Sequence, residues 1–149
     1  EFENEYLTGT PDVITTKIII DNKSPWDCFT FPLFETKINE DYFYQGQGYM
    51  ALTGRNEYKL IYTLMDASEE EIFNEAQKHC YKNDIELDDE ILQHFTKKMT
   101  YTDIPNELRI KVYDFQKNDE VIHKIYNRVE LCRQYISDKL SSSNFKTPF

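Results

Sequence analysis

The stretch that most constrains this chain is PDVITTKIIIDNK, residues 11–23, where polar groups stand at the tip of a strongly apolar run. Ile, Val and Thr dominate it, and their branched side chains favour strands. Gly9 and Pro11 punctuate the segment, so EYLTG (5–9), PDVIT (11–15) and TKIIIDNK (16–23) read as three strands, the first two as paired hairpin arms. If 11–15 and 16–23 are neighbours joined by a tight turn, Asp12 and Asp21 meet at one sheet end. Lys23, two residues beyond Asp21, shares its face roughly 7 Å along the strand, while Asn22 points the other way.

Those residue types imply a chemistry. Two converging carboxylates repel unless a cation lies between them. A hard divalent ion, Mg²⁺ (or Mn²⁺), suits the pair, because it accepts one or two carboxylates together with waters and phosphate oxygens. The Asn22 carbonyl can still reach such an ion. An ammonium at Lys23 can position or deprotonate a water and offset charge on a phosphate. The plain alternative is a solvated edge pair, since D-x-K alone is a common tripeptide.

Downstream, residues 24–36 read as a loop with a short helical turn and 40–53 as a helix, EDYFYQGQGYMALT, ended by Gly54. Its two glycines, Gly46 and Gly48, each cost about 1 kcal/mol relative to alanine, so close packing or ligand approach has to compensate. Gln45 and Tyr49 lie four apart on one helical face. A strand follows at 57–65, then a helix from a Ser68/Glu71 capping box to about Tyr81, and a second helix at 88–99. Pro105 breaks the pattern, 109–115 alternates like an edge strand, and 118–140 is the longest helix, with Ile122, Ile125, Val129, Cys132 and Ile136 on one stripe. The order β-β-β-α-β-α-α-β-α predicts an α/β (α+β) fold, a mixed central sheet flanked by helices, built as a single domain over 1–149.

The run GTPDVI…KIIIDNK…YQGQGYMALTG resembles the PD-(D/E)XK nuclease superfamily, and within it the RecB-like and phage lambda-type exonucleases. In that family an Asp ends one strand, D/E-x-K ends the next, and Q-x-x-x-Y lies on the following helix. Here the pattern falls on Asp12, on Asp21 with Lys23, and on Gln45 with Tyr49. The resemblance covers residues 5–65 and implies a restriction-endonuclease-like core and metal-dependent hydrolysis of DNA phosphodiesters, in phage recombination or DNA processing. It implies Asp12, Asp21 and the Asn22 carbonyl as metal ligands, Lys23 as the residue that orients water, and Gln45 and Tyr49 as residues that order the site or the DNA end. It also implies double-stranded DNA ends as substrate, a single-strand annealing protein as partner, and a homo-oligomer. The family places one more acid ahead of the first strand, where this chain has Glu3 and Glu5, and more often has Glu where this chain has Asp21.

Charge adds a second expectation. The chain carries 27 acidic and 17 basic residues, net -10, which argues against a general nucleic-acid coating protein. Residues 66–105 hold 4 basic and 11 acidic side chains (-7), whereas 106–149 hold 8 and 6 (+2). The phosphate track is therefore expected on the last helix, at Lys117, Lys124, Arg128 and Lys139, with Arg55 a second candidate. Ser24 could donate to a phosphate and Trp26 could stack on a base. His79, His94 and His123 share no metal-ligand spacing. Cys28, Cys80 and Cys132 form no CxxC pair and read as reduced thiols of a cytoplasmic protein, and no run is long and apolar enough for a membrane span. The rival reading is a catalytically inactive nuclease fold serving as a DNA-end or protein-binding module.

Overall fold

The computed structural model describes residues 1–25 and 27–142. Among them are a two-stranded sheet, a mixed four-stranded sheet and four helices. The small sheet is a hairpin of β1 (Phe2–Glu3) and β2 (Thr8–Gly9), with Phe2 opposite Gly9. Asn4 makes the turn, its Oδ1 accepting from the amides of Tyr6 and Leu7, both at 2.9 Å. This corrects two expectations: residues 5–7 are turn rather than strand, and the partner of 8–9 is 2–3 rather than 11–15. A side-chain carbonyl that captures two amides outcompetes the strand propensity of Tyr6 and Leu7.

The large sheet has the order β3 (Val13–Ile14), β4 (Ile18–Lys23), β5 (Glu57–Thr63), β6 (Ile110–Gln116). β3 and β4 are antiparallel, joined by a turn in which the Thr15 hydroxyl accepts from the amide of Ile18 at 3.0 Å. β5 alternates strictly, burying Tyr58, Leu60 and Tyr62, and β6 is the edge strand that its own alternation predicts.

The described residues group into two compact units. The first holds residues 1–21, 37–59 and the chain from Asp114 onward, and contains α1 (Glu40–Thr53) and α4 (Asp119–Ser142). α1 has the predicted bounds because both ends are capped: Asn39 accepts from the Asp41 amide, and Gly54 takes the left-handed φ of 71° that ends the helix. Its core is Ile19, Met50, Tyr58 and Ile122. Gln47 is wholly buried with both polar atoms partnered, donating to the Gln116 carbonyl at 2.9 Å and accepting from the Asn118 amide at 2.8 Å. Gly46 meets the close-packing requirement: a Cβ there would lie 2.5 Å from Cζ of Phe115 and 3.1 Å from Cδ1 of Tyr58. Gly48 does not, since its added Cβ would meet only Leu7, at 3.5 Å. The stripe on α4 is buried at Ile122 and half-buried at Ile125 and Val129, but Cys132 and Ile136 are exposed.

The second unit, residues 22–36 and 60–113, packs α2 (Glu69–Asn83) on α3 (Asp89–Met99). α2 starts at the predicted capping box and runs two residues past Tyr81, ending at Asp84 in the left-handed region. Asp66 accepts from the Tyr101 amide at 2.6 Å and from Arg109 Nη2 at 3.0 Å, tying the segment after β5 to the chain entering β6. Residues 27–30 form a turn on the Asp27 carboxylate rather than a helical turn. Cys28, Cys80 and Cys132 are free thiols. No helix of the described residues is long and apolar enough to cross a membrane.

Candidate active site

The site begins with the β3–β4 register. Val13 faces Ile20 and Ile14 faces Ile19; carried one residue outward, the same register sets Asp12 opposite Asp21. Opposed residues of an antiparallel pair project to one face, with side chains about 4.5–5.5 Å apart at Cβ. The two-residue repeat of β4 places Ile19, Asp21 and Lys23 on that face, and burial follows it: Ile19 and Asp21 are buried, Lys23 half-buried, and Asn22 between them exposed. The Asn22 side chain accepts from the Thr63 hydroxyl at 3.0 Å, on the other side of its strand.

Asp21 is only 1% exposed, an unusual place for a carboxylate. Tyr58, equally buried, borders it. Burial first, then the negative charge of Asp21, push the Tyr58 hydroxyl pKa far above that of a free phenol, with smaller contributions from Tyr49 and Asp12. The phenol makes no hydrogen bond of full geometry among the described residues, so Asp21 acts on it chiefly as a nearby carboxylate. The ring is held by Phe115, with centroids 4.8 Å apart. Asp12, Asp21, Tyr49 and Tyr58 therefore share one electrostatic neighbourhood. Tyr58 escapes sequence reading because a tyrosine in an alternating strand reads as core; the one available signal is that β5 opens its buried face with a phenol where Leu60 follows with an aliphatic chain.

On α1 the pair four residues apart is joined, Gln45 Nε2 donating to the Tyr49 hydroxyl at 3.1 Å. Gln45 Oε1 is buried and has no partner among the described residues, an acceptor open to a donor from outside the protein. Of the two glutamines in QGQG, Gln45 thus pairs with Tyr49 and keeps an open acceptor, whereas Gln47 belongs to the core.

The donor set fits a hard cation. Asp12 and Asp21 both act on Tyr58, the Asn22 backbone offers a carbonyl next to Asp21 in sequence, and a six-coordinate Mg²⁺ ordinarily takes one or two carboxylates and fills the rest with water and phosphate oxygens. Among the described residues no third His, Cys, Asp or Glu joins the pair, so Glu3 and Glu5 are not brought to it.

The remaining candidates have contacts of their own. Arg55 donates through Nε to the Thr15 carbonyl at 2.9 Å and through Nη1 to the Thr53 carbonyl at 2.8 Å, clipping the end of α1 to the β3–β4 turn. Lys117 pairs with Asp119 at 2.9 Å, and that ion pair holds the Asp119 carboxyl below its usual pKa. Lys124 and Arg128 are exposed on α4, Lys139 lies over the Tyr135 ring, and Ser24 is exposed. Trp26 lies outside the described residues.

No protein-family model matches the chain, and no curated protein matches it. Among solved structures, a phage-related exonuclease from Haemophilus somnus 129PT superposes with a TM-score of 0.70 at 27% identity, covering 94% of this chain and 59% of that one. An alkaline exonuclease from Laribacter hongkongensis superposes with a TM-score of 0.50 at 16% identity over the same shares, a likeness of fold alone. The chain thus spans about three fifths of the length of either neighbour. The chain is thus similar in structure to a phage-related exonuclease, and its Asp21-x-Lys23 strand end and its Gln45–Tyr49 pair on the following helix resemble the pattern of the PD-(D/E)XK nuclease superfamily and its phage lambda-type exonucleases.

Proposed function

We propose that this chain carries the catalytic centre of a metal-dependent deoxyribonuclease that hydrolyses phosphodiester bonds, working as an exonuclease on double-stranded DNA ends. The observation that carries the reading is the β3–β4 register, which extended by one residue sets Asp12 toward the buried Asp21, with Lys23 next on the same face of β4. The phage-related exonuclease neighbour supports the class of reaction.

Asp12, Asp21 and the Asn22 carbonyl would hold Mg²⁺ or Mn²⁺, which when bound neutralises charge on the phosphate and stabilises the leaving oxygen. The Lys23 ammonium orients the attacking water in line with the phosphorus and offsets the charge that builds there. Gln45 Oε1 accepts from ordered water, and Tyr49, whose oxygen already accepts from Gln45, keeps its own proton to donate to a phosphate oxygen. Tyr58 stays protonated beneath Asp21 and keeps bulk water from the buried side of the pair. Lys124 and Arg128 on α4 would contact the DNA backbone, and Ser24 and Trp26 its end. A phage origin, a role in recombination, a cytoplasmic location, a homo-oligomeric state and an annealing-protein partner complete the proposal.

End-labelled duplex incubated with Mg²⁺ or Mn²⁺ tests it. Release of nucleotides by the protein and not by Asp21→Asn is the expected result; binding without release in both would favour a DNA-end-binding module instead.

A further inference from the structure

The β1–β2 hairpin supplies no group to the proposed chemistry, yet its packing converges on the helix that carries Gln45 and Tyr49. A Cβ placed on Gly9 would lie 2.6 Å from Cε1 and 3.1 Å from Cδ1 of Tyr49, and 3.6 Å from Cδ1 of Leu52. The edge of the Tyr49 ring thus rests on the Gly9 backbone. Gly9 does not adopt a positive φ, so space rather than backbone conformation makes glycine necessary there. A Cβ placed on Gly48 of the same helix would meet Leu7, from the hairpin turn, at the 3.5 Å of ordinary contact.

The hairpin is itself anchored. Tyr6 stacks on Tyr126 of α4 with ring centroids 4.4 Å apart and planes within 19°. Asn4 Nδ2 donates to the Tyr126 hydroxyl at 3.1 Å, and the Arg133 guanidinium lies 5.6 Å from the Tyr6 ring while donating to the Glu5 carbonyl. Gly9 is therefore a fixed surface against which the ring is set. A methyl group there cannot coexist with the ring, since carbon atoms not bonded to each other settle near 3.5–4.0 Å. The ring has to retreat by about 1 Å, and its hydroxyl, the acceptor of the 3.1 Å bond from Gln45, moves with it, so the geometry of that bond changes.

We infer that Gly9 is a positioning residue: its bare backbone seats the Tyr49 ring, and the seated ring holds Gln45 in the geometry the site uses. The inference deepens the nuclease reading and rests on it for the consequence in catalysis, although the contact itself does not.

The experiment compares wild type, Gly9→Ala, Tyr49→Ala and the double variant Gly9→Ala/Tyr49→Ala. It follows the Gln45 side-chain amide by ¹H–¹⁵N NMR and the release of nucleotides from duplex DNA with Mg²⁺. Gly9→Ala is expected to move the Gln45 side-chain resonances and to lower kcat about 100-fold, the cost of a 1 Å misplacement, with a far smaller change in KM. In the Tyr49→Ala background it should change neither. Unmoved Gln45 resonances, or the same fall in kcat without the Tyr49 ring, would overturn the inference. If wild type releases no nucleotides the nuclease reading fails, and the Gln45 resonances still decide the seating. If Gly9→Ala does not fold, Gly9→Ala/Tyr49→Leu removes the ring edge that the methyl meets and is expected to fold; its failure to do so also overturns the inference.

Discussion

Val13 pairs with Ile20 across β3 and β4, a register that extended by one residue sets Asp12 toward Asp21, one carboxylate exposed and the other sealed at 1% exposure. A ligand that binds only the folded protein stabilises it by mass action, by about 2.7 kcal/mol at a hundredfold excess over Kd. For a chain of this length that raises Tm by roughly 5–10 °C. Saturating Mn²⁺ is therefore expected to raise the Tm of wild type and to leave Asp21→Asn within about 1 °C of its metal-free value, with nucleotide release lost. Differential scanning fluorimetry with and without the ion reads this directly. An equal Tm rise in both proteins would place the cation elsewhere.

Lys23 separates holding metal from using it. It shares the face of Asp21 but offers only N–H donors, so its removal takes away water orientation without a metal ligand. Lys23→Met is expected to keep the full Mn²⁺-induced Tm rise while lowering the rate of hydrolysis by about 10²–10⁴-fold, the range for losing a positioned acid–base group. A loss of the Tm rise would instead make Lys23 part of how the carboxylates are held.

Local rules carried the sequence reading as far as they reach. The bounds of α1 follow from Asn39 and Gly54, and the start of α2 from Ser68 and Glu71, because a cap is decided within four residues. The antiparallel pairing of β3 with β4 was legible because a tight turn between two β-branched runs leaves few registers. What was not legible depended on contacts distant in sequence. The Tyr6 ring turns toward Tyr126 instead of joining a strand, Gly9 meets Tyr49, and Tyr58 lies beneath Asp21; no periodicity encodes which neighbour a buried face will meet. The α4 stripe misled for the same reason, since its spacing marks an apolar face but not how far a partner covers it. Charge counting likewise could not foresee that Lys117 is paired and Arg55 clips two carbonyls.

The two glycines of α1 make opposite predictions. At Gly46 a methyl group would press Phe115, which is itself packed on Phe43 and Tyr58, so the ring cannot yield freely. Overpacking of that kind costs about 1–3 kcal/mol, more than the roughly 1 kcal/mol of helix propensity that alanine returns. Gly46→Ala is expected to lower the urea midpoint. Gly48→Ala has room, and is expected to raise it by an amount equivalent to about 1 kcal/mol. Equal shifts in the two variants would contradict the close approach of α1 to Phe115.

The α2 capping box gives stability a defined pH dependence. The Glu71 carboxylate accepts from the Ser68 amide at 2.9 Å and from the Ser68 hydroxyl at 2.8 Å, and these bonds hold its pKa below the ordinary 4.5. A carboxylate whose pKa is lower folded than unfolded stabilises the fold at pH values above its unfolded pKa. That contribution disappears as pH falls through the folded one. Glu71→Gln keeps the shape but not the charge, so its Tm should lie below wild type at pH 7, and the two curves should converge as acidification passes below the ordinary glutamate range. Thermal melts at a series of pH values test this, with Ser68→Ala as the partner variant. A gap that stays constant down to the acid end would mean that the carboxylate's charge adds nothing to the cap.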